Sequence, residues 1–542
     1  MSSLFLLLII AVPTSMLVIP LAWKLAPYLN MVDQPDESRK VHSKPIPRIG
    51  GWGIVAGSLL PICITREFNP LLESYLIGGL TLFAFGMWDD ARQVSHWVKF
   101  VGQALAAGVV VFYGQLYVAD WPFIGEALPV LWSKAFTVIA LMGMINAVNH
   151  SDGLDGLAGG ETILSLIVIA YLGYLSSNEL TVGLAFATMG GILGFLRYNT
   201  HPARVFMGDS GSQFLGFTLG FLAIHVTQVA MPALSAASPL LFLGLPIADI
   251  LVVLYKRARG HMNWFKATRN HVHHRLLDLG FDHYETVVLI YSVQALLVTL
   301  TVLLRFESDY LVAGTYLGII VGGFVLLGVA EARGWRRRTI GMSVFAAAIV
   351  NLRSDGLLRR IPLAVISVLL PLCLVAGAFF AVRVPRDFGV MGGVVGLIVA
   401  IEILFSRSPD TLINRLSVYV AAIFSSYLFV EFHPGAQFGA FDLASLAVIV
   451  TLALAVAIFI RYTSEERFGA TPTDYLLVFG VMALVVFGGI DIRARETVRT
   501  VMYSVVLLYG CEAVLGIAQK RWSLLSVSTV VCLLTLAVRG LN

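Results

Sequence analysis

Asn146–Gly160 reads NAVNHSDGLDGLAGG, directly after an apolar run, Val130–Ile145, long enough for most of a membrane crossing. Asn146, Asn149, Asp152 and Asp155 recur at every third position, with Gly153, Gly156, Gly159 and Gly160 between and after them. A carboxylate at the bilayer centre costs about 2.5 to 3.5 kcal/mol on insertion scales, so ionisable residues in this setting point to function. Gly in a helix interior costs about 1 kcal/mol relative to Ala, which argues against one unbroken helix. The stretch therefore reads as a helix ending near Asn149, a polar turn, and a new helix after Asp155. Such a break exposes backbone N–H groups and carboxylates together, a setting suited to a metal-bound phosphate. Taken alone, a plain polar loop between helices fits it equally well.

Outward from this stretch, the chain of 542 residues is 58% hydrophobic and 13% charged, with mean hydropathy +0.84. That is the composition of an integral membrane protein. The apolar runs are continuous and do not alternate with polar residues, so they indicate helices and not barrel strands. Spans are predicted near 4–29, 50–64, 71–88, 100–118, 130–148, 156–175, 180–197, 212–230, 237–255, 284–303 and 310–330. The predicted class is all-α, a polytopic membrane helical bundle with about eleven spans in a core, 1–338, and about seven more in an extension, 339–542. The piece Ile340–Leu352, flanked by Arg353, Arg359 and Arg360, is short for a crossing and is expected along the inner surface.

Basic residues sort to one side. Arg39, Lys40, Lys44 and Arg48 follow the first span, Arg92 and Lys99 the third, Arg197 and Arg204 the seventh, and Lys256, Arg257 and Arg259 the ninth. The positive-inside rule puts these connections in the cytoplasm. The first run has no basic residue before it and Lys24 near its end, so it is expected to be a retained helix with its N-terminus outside. The net charge of +4 gives no ground to expect a nucleic-acid partner. Cys63, Cys373, Cys511 and Cys532 lie in apolar runs without metal-ligand spacing and are expected only to pack.

Every polar cluster of chemical interest falls on the predicted cytoplasmic side. Asp89-Asp90 closes a span, and adjacent carboxylates need a cation, either a metal or Lys99; a solvated helix end paired with Arg92 is the plainer reading. Phe206–Ser212, FMGDSGS, opens an apolar run; its small residues would let helix N–H groups reach a phosphate, with Asp209 carrying a bridging cation. An ordinary N-cap looks the same. Asn270–Arg275, NHVHHR, sits in a basic loop and suits a sugar diphosphate, a three-histidine zinc site being the other reading. Lys44–Gly51, KPIPRIGG, is a rigid basic turn.

In this order the clusters resemble the polyprenyl-phosphate N-acetylhexosamine-1-phosphate transferases, glycosyltransferase family 4, over about residues 4–330. HVHHRLLDLG, His271–Gly280, is similar to the GlcNAc-type branch, whereas phospho-MurNAc-pentapeptide translocases carry a third histidine where Arg275 stands. The resemblance implies transfer of GlcNAc-1-phosphate, or that of a close N-acetylhexosamine, from a UDP-sugar to undecaprenyl phosphate. UMP is released at the cytoplasmic face of the bacterial inner membrane, and lipid-linked polysaccharide synthesis begins. It implies Mg²⁺, with Mn²⁺ as alternative, on Asp209 and Asp152. Asp89, Asp90 and Asp209 are the implied catalytic residues. Lys44, Asn149, Asp152, Asp155, Asn199, His271, His273, His274 and Arg275 are the implied substrate contacts. Membrane lipid, a second copy of the chain, and glycan-assembly proteins docked on the extension complete the expected partners. A secondary transporter is the rival from another class, but it predicts inverted repeats and acids near the midplane. Here the acids stand at span ends.

Overall fold

The computed structural model describes residues 2–34, 45–124, 128–260, 271–336, 357–405, 412–431, 440–462, 494–517 and 522–541. The described residues fall into two compact units, one running to Arg336 and the other beginning at Leu357. The proposed inner-surface piece Ile340–Leu352 and Lys44 lie outside the described residues.

The first unit comprises α1 (Ser2–Leu25), a short hairpin of β1 (Val32–Asp33) with β2 (Ile46–Pro47), α2 (Gly50–Thr65), α3 (Pro70–Arg92), α4 (His96–Gly108), α5 (Val130–Ser151), α6 (Leu157–Leu175), α7 (Glu179–Asn199) and α8 (Gly208–His225). It continues with α9 (Pro239–Phe242), α10 (Gly244–Arg259), α11 (Val272–Asp278), α12 (His283–Leu303) and α13 (Asp309–Ala332). α4 and α8 each run on through a π-helical turn, Val109–Tyr113 and Val226–Ala230. Local chemistry sets the ends. Asn69 caps α3 by accepting from Leu72 N at 2.9 Å ahead of Pro70, and Asp282 with Glu285 forms a capping box on α12. Across both units, eleven helices among the described residues are long and apolar enough to cross a membrane. The protein is a multi-pass membrane protein.

α6, α7 and α8 are the most enclosed helices, and α13 is the most peripheral of the long ones. α1, α2 and α7 pack through small residues: a Cβ on Gly57 would lie 2.9 Å from Gly191 Cα, and Ser15 Oγ donates to Gly191 O at 2.8 Å. α3 meets α8 through Tyr75, stacked on Phe217 at 5.7 Å and hydrogen-bonded to Thr218 at 3.0 Å.

The ninth predicted span is two helices, broken at Leu243. The backbone groups freed by the break find partners in side chains of neighbouring helices. Ser165 Oγ and Gln294 Nε2 donate to Phe242 O at 2.6 and 2.8 Å, and Tyr316 Oη donates to Gly244 O at 3.0 Å. An interrupted helix in an apolar setting needs such replacements.

In the second unit, Leu357–Phe380 packs against Leu412–Glu431, Ala440–Tyr462 and Trp522–Leu541, and Arg386–Phe405 packs against Trp522–Leu541. Gly389 and Gly540 bring the last pair into backbone contact. Arg415 and Glu512, isolated charges in apolar sequence, pair at 3.6 Å. All four cysteines are free thiols.

Candidate active site

Asp89 and Asp90 lie in the last turn of α3, Lys99 in the first turn of α4, and Asp209 is the second residue of α8. Lys99 Nζ stands 2.6 Å from Asp89 Oδ2 and 2.7 Å from Asp209 Oδ2, bridging the two carboxylates. Asn149 Nδ2 and Gln213 Nε2 also donate to Asp209 Oδ2, both at 3.3 Å. Asp89 Oδ1 accepts from Val94 N at 2.9 Å, which fixes it against the α3–α4 turn.

Asp90 has a different task. Its two oxygens accept the backbone N–H groups of Asp209 and Ser210 at 2.8 and 3.1 Å, so a side chain from α3 caps the N-terminus of α8. Gly208 (φ +74°) passes so close that a Cβ there would lie 2.6 Å from Asp90 Oδ2. Gly51 and Gly211 approach within backbone contact, as do Gly86 and Ser210: Cβ atoms on Gly51 and Gly86 would lie 2.4 Å from Gly211 N and Ser210 Cα. Gly50 N and Gly51 N donate to Phe206 O and Met207 O at 2.9 and 2.8 Å. The small residues at the start of α8 therefore serve helix contact. The expected phosphate cradle on these first amides is corrected, because a carboxylate already takes them.

The α5–α6 turn holds Asp152 and Asp155 within two residues of the predicted boundaries. Burial, reinforced by the carboxylates of Asp209, Asp155 and Asp90, pushes Asp152 up to about 7. Asp155 is drawn into another cluster. Its Oδ2 meets His201 Nδ1 at 2.7 Å and accepts from Ala203 N at 3.0 Å, and His283 Nε2 lies 3.2 Å from its backbone oxygen. Asp155, His201 and His283 could by composition hold a metal. The two rings, however, stack at 4.0 Å within 21° of parallel, and an ion in the plane of one ring is out of the plane of the other. The cluster latches the turn to the 200–203 loop and to α12. Asn199 supports the same turn, accepting from Gly156 N at 2.8 Å and donating to Val205 O at 2.9 Å.

In the histidine segment, Asp249 of α10 holds His271 Nδ1 at 2.6 Å and accepts from Val272 N at 2.8 Å. His273 is buried against the Asp152 turn, where a Cβ on Gly153 would lie 2.2 Å from its Nε2. Burial, with His274 beside it, pushes His273 down to about 3. The rings of His271 and His273 stack at 5.7 Å and those of His273 and His274 meet tilted at 4.3 Å, which is no zinc-ligand arrangement. Arg275 makes a bidentate pair with Glu331 of α13 at 2.7 and 2.8 Å. Its guanidinium ties α11 to α13, lying also over the Phe324 ring at 5.6 Å.

Gln103, Gln213, Asp249, His201, His283 and Glu331 complete the site and were not among the candidates from sequence. The signal for Gln103, Gln213 and Asp249 was a polar residue within an apolar run. For the others the sequence offered none, since their partners are up to 128 residues away.

The glycosyl transferase family 4 model matches residues 72–227. The chain is 32% identical over 288 residues to a probable undecaprenyl-phosphate N-acetylglucosaminyl 1-phosphate transferase of Bacillus subtilis (strain 168), covering 53% of this chain and 80% of that protein. It is 30% identical over 322 residues to the undecaprenyl-phosphate alpha-N-acetylglucosaminyl 1-phosphate transferase of Escherichia coli O157:H7, covering 58% and 87%. The similarly named protein of Yersinia pestis is 30% identical over 337 residues, covering 59% and 90%.

Proposed function

The chain belongs to glycosyl transferase family 4, and from that premise we propose how its site transfers an N-acetylhexosamine 1-phosphate to undecaprenyl phosphate. The donor is a UDP-sugar, UDP-GlcNAc in the first place, since the relatives are named for N-acetylglucosaminyl 1-phosphate transfer. The reaction runs at the cytoplasmic face of the bacterial inner membrane, where basic connections gather and a soluble nucleotide is available. The observation that carries this reading is the Asp89–Lys99–Asp209 bridge at the bundle end that also holds the Asp152 turn.

An oxygen of the lipid phosphate bonds to the phosphorus bearing the sugar. The bond from that phosphorus to the bridging oxygen breaks, and its electron pair leaves with UMP. A phosphate monoester has a second pKa of about 6, so the acceptor is mostly a dianion at neutral pH and needs little proton removal. Asp89, fixed by Lys99 and Val94, then orients more than it deprotonates. Lys99 supplies a positive charge where phosphate oxygens gather, and charge neutralisation is what phosphoryl transfer chiefly needs. Asp209 and Asp152 fit Mg²⁺: the set is oxygen-only, and beyond the effect of burial, the carboxylates of Asp209, Asp155 and Asp90 add negative charge around Asp152. When bound, the ion would neutralise diphosphate charge. The neutral, buried His273 would offer hydrogen bonds to the donor.

The test is purified protein with undecaprenyl phosphate, Mg²⁺ and a panel of UDP-sugars, following UMP. UDP-GlcNAc or a close UDP-N-acetylhexosamine should be consumed and UDP-MurNAc-pentapeptide refused. Efficient use of the pentapeptide donor would move the protein to the translocase branch.

A further inference from the structure

Three amides on three helices form a directed chain that ends on Asp209. Asn146 of α5 donates Nδ2 to Gln103 Oε1 at 2.7 Å, Gln103 of α4 donates Nε2 to Gln213 Oε1 at 3.4 Å, and Gln213 of α8 donates Nε2 to Asp209 Oδ2 at 3.3 Å. Gln103 and Gln213 are 0% and 1% exposed. The chain is anchored at its far end, where Asn146 Nδ2 also donates to Met142 O at 2.7 Å and Gln103 Nε2 returns to Asn146 Oδ1 at 3.3 Å.

Amides this deep between membrane-spanning helices are costly unless hydrogen-bonded. Three of the bonds, Asn146 to Gln103, Gln103 to Gln213 and Gln213 to Asp209, run with N–H towards Asp209, and bonds aligned head to tail polarise one another. Gln213 stands four residues after Asp209 on the same helix, so its reach to the carboxylate is set by helix geometry. Gln103 in turn sets where the Gln213 amide can point. We propose that Gln213, oriented by Gln103 and Asn146, is a positioning residue that fixes the Asp209 carboxylate from the interior of the bundle for divalent-cation binding. This rests on the reading of Asp209 as the cation's ligand. Lys99 and Asn149 hold the same oxygen from their own helices, so losing one amide loosens the carboxylate without freeing it.

The test is Mn²⁺ titration of the purified full-length protein without substrates, followed by electron paramagnetic resonance. Asp209→Asn should lose the tight site. Gln213→Met, matched in length but without an amide, should weaken Mn²⁺ binding about 10-fold, the lower end for loss of an outer-shell partner. Gln103→Met should weaken it less, and adding Gln103→Met to Gln213→Met should change nothing further, because Gln103 acts through Gln213. Should Gln213→Met fail to fold, Gln213→Asn replaces it, holding its amide one methylene short of Asp209, with the same expected loss. Wild-type Mn²⁺ affinity in Gln213→Met, alongside loss in Asp209→Asn, overturns the relay. Independent, additive effects of the two glutamines also overturn it. Undiminished binding in Asp209→Asn overturns the metal reading, and the relay with it.

Discussion

At 2.6 Å from Asp89 and 2.7 Å from Asp209, Lys99 is one cation shared by two acids. Replacing it by Met leaves adjacent carboxylates repelling each other and removes a positive charge from the place where phosphates collect. Turnover of Lys99→Met, read as UMP release at saturating Mg²⁺, should fall by about 100-fold; a rate near wild type would remove Lys99 from the reaction. His273 makes a pH prediction of definite sign. Its ordinary value of about 6.5 falls to about 3 in the fold, so the folded state prefers the neutral ring. Stability from this preference is fully present above about pH 6.5 and is lost as pH drops towards 3. The thermal midpoint of wild type should therefore decline more between pH 7 and pH 5 than that of His273→Gln, which has nothing to protonate there. Parallel declines would show that His273 is not the acid-sensitive group.

The start of α8 depends on backbone contacts with α2 and α3, and this makes its glycines unequal to others. A Cβ on Gly86 would meet Ser210 Cα at 2.4 Å, whereas one on Gly143 in α5 would meet nothing within 4 Å. Gly86→Ala should destabilise by about 1–3 kcal/mol through overpacking and displace Asp209, lowering activity as well. Gly143→Ala should leave both unchanged or gain up to about 1 kcal/mol from helix propensity. Thermal unfolding of the two variants side by side decides it, and equal behaviour would contradict the close approach. The core spans are legible in sequence because crossing an apolar layer demands long apolar runs, and the Asp152 turn because glycines and acids interrupt one. The break at Leu243 is not legible, since its compensation comes from Ser165, Gln294 and Tyr316 on other helices. Asp89 and Asp90 look alike as neighbours in sequence. Only packing against α8 turns one towards Lys99 and the other onto two backbone amides. Likewise, nothing local to HVHHR reveals that Arg275 is taken by Glu331, 56 residues on.

At the scale of the whole molecule, every described residue of the carboxylate centre, the Asp152 turn and the histidine segment lies before Arg336, in the first compact unit. The second unit has its own packing, with Gly389 against Gly540, Ser425 Oγ donating to Leu374 O at 3.0 Å, and Arg415 paired with Glu512. Each of these contacts joins residues within the second unit. The relatives point the same way: the match to the Bacillus subtilis protein takes 53% of this chain yet 80% of that one. Met1–Arg338 expressed alone should therefore insert in the membrane and retain transfer to undecaprenyl phosphate in detergent. The measurement is UMP release per folded protein, truncated against full length, with monodispersity checked by size exclusion. A truncated protein that is monodisperse and inactive would make the extension part of the catalytic unit. Retained activity would instead leave the extension free for a task of its own, such as docking glycan-assembly proteins on a helical surface that the reaction does not use.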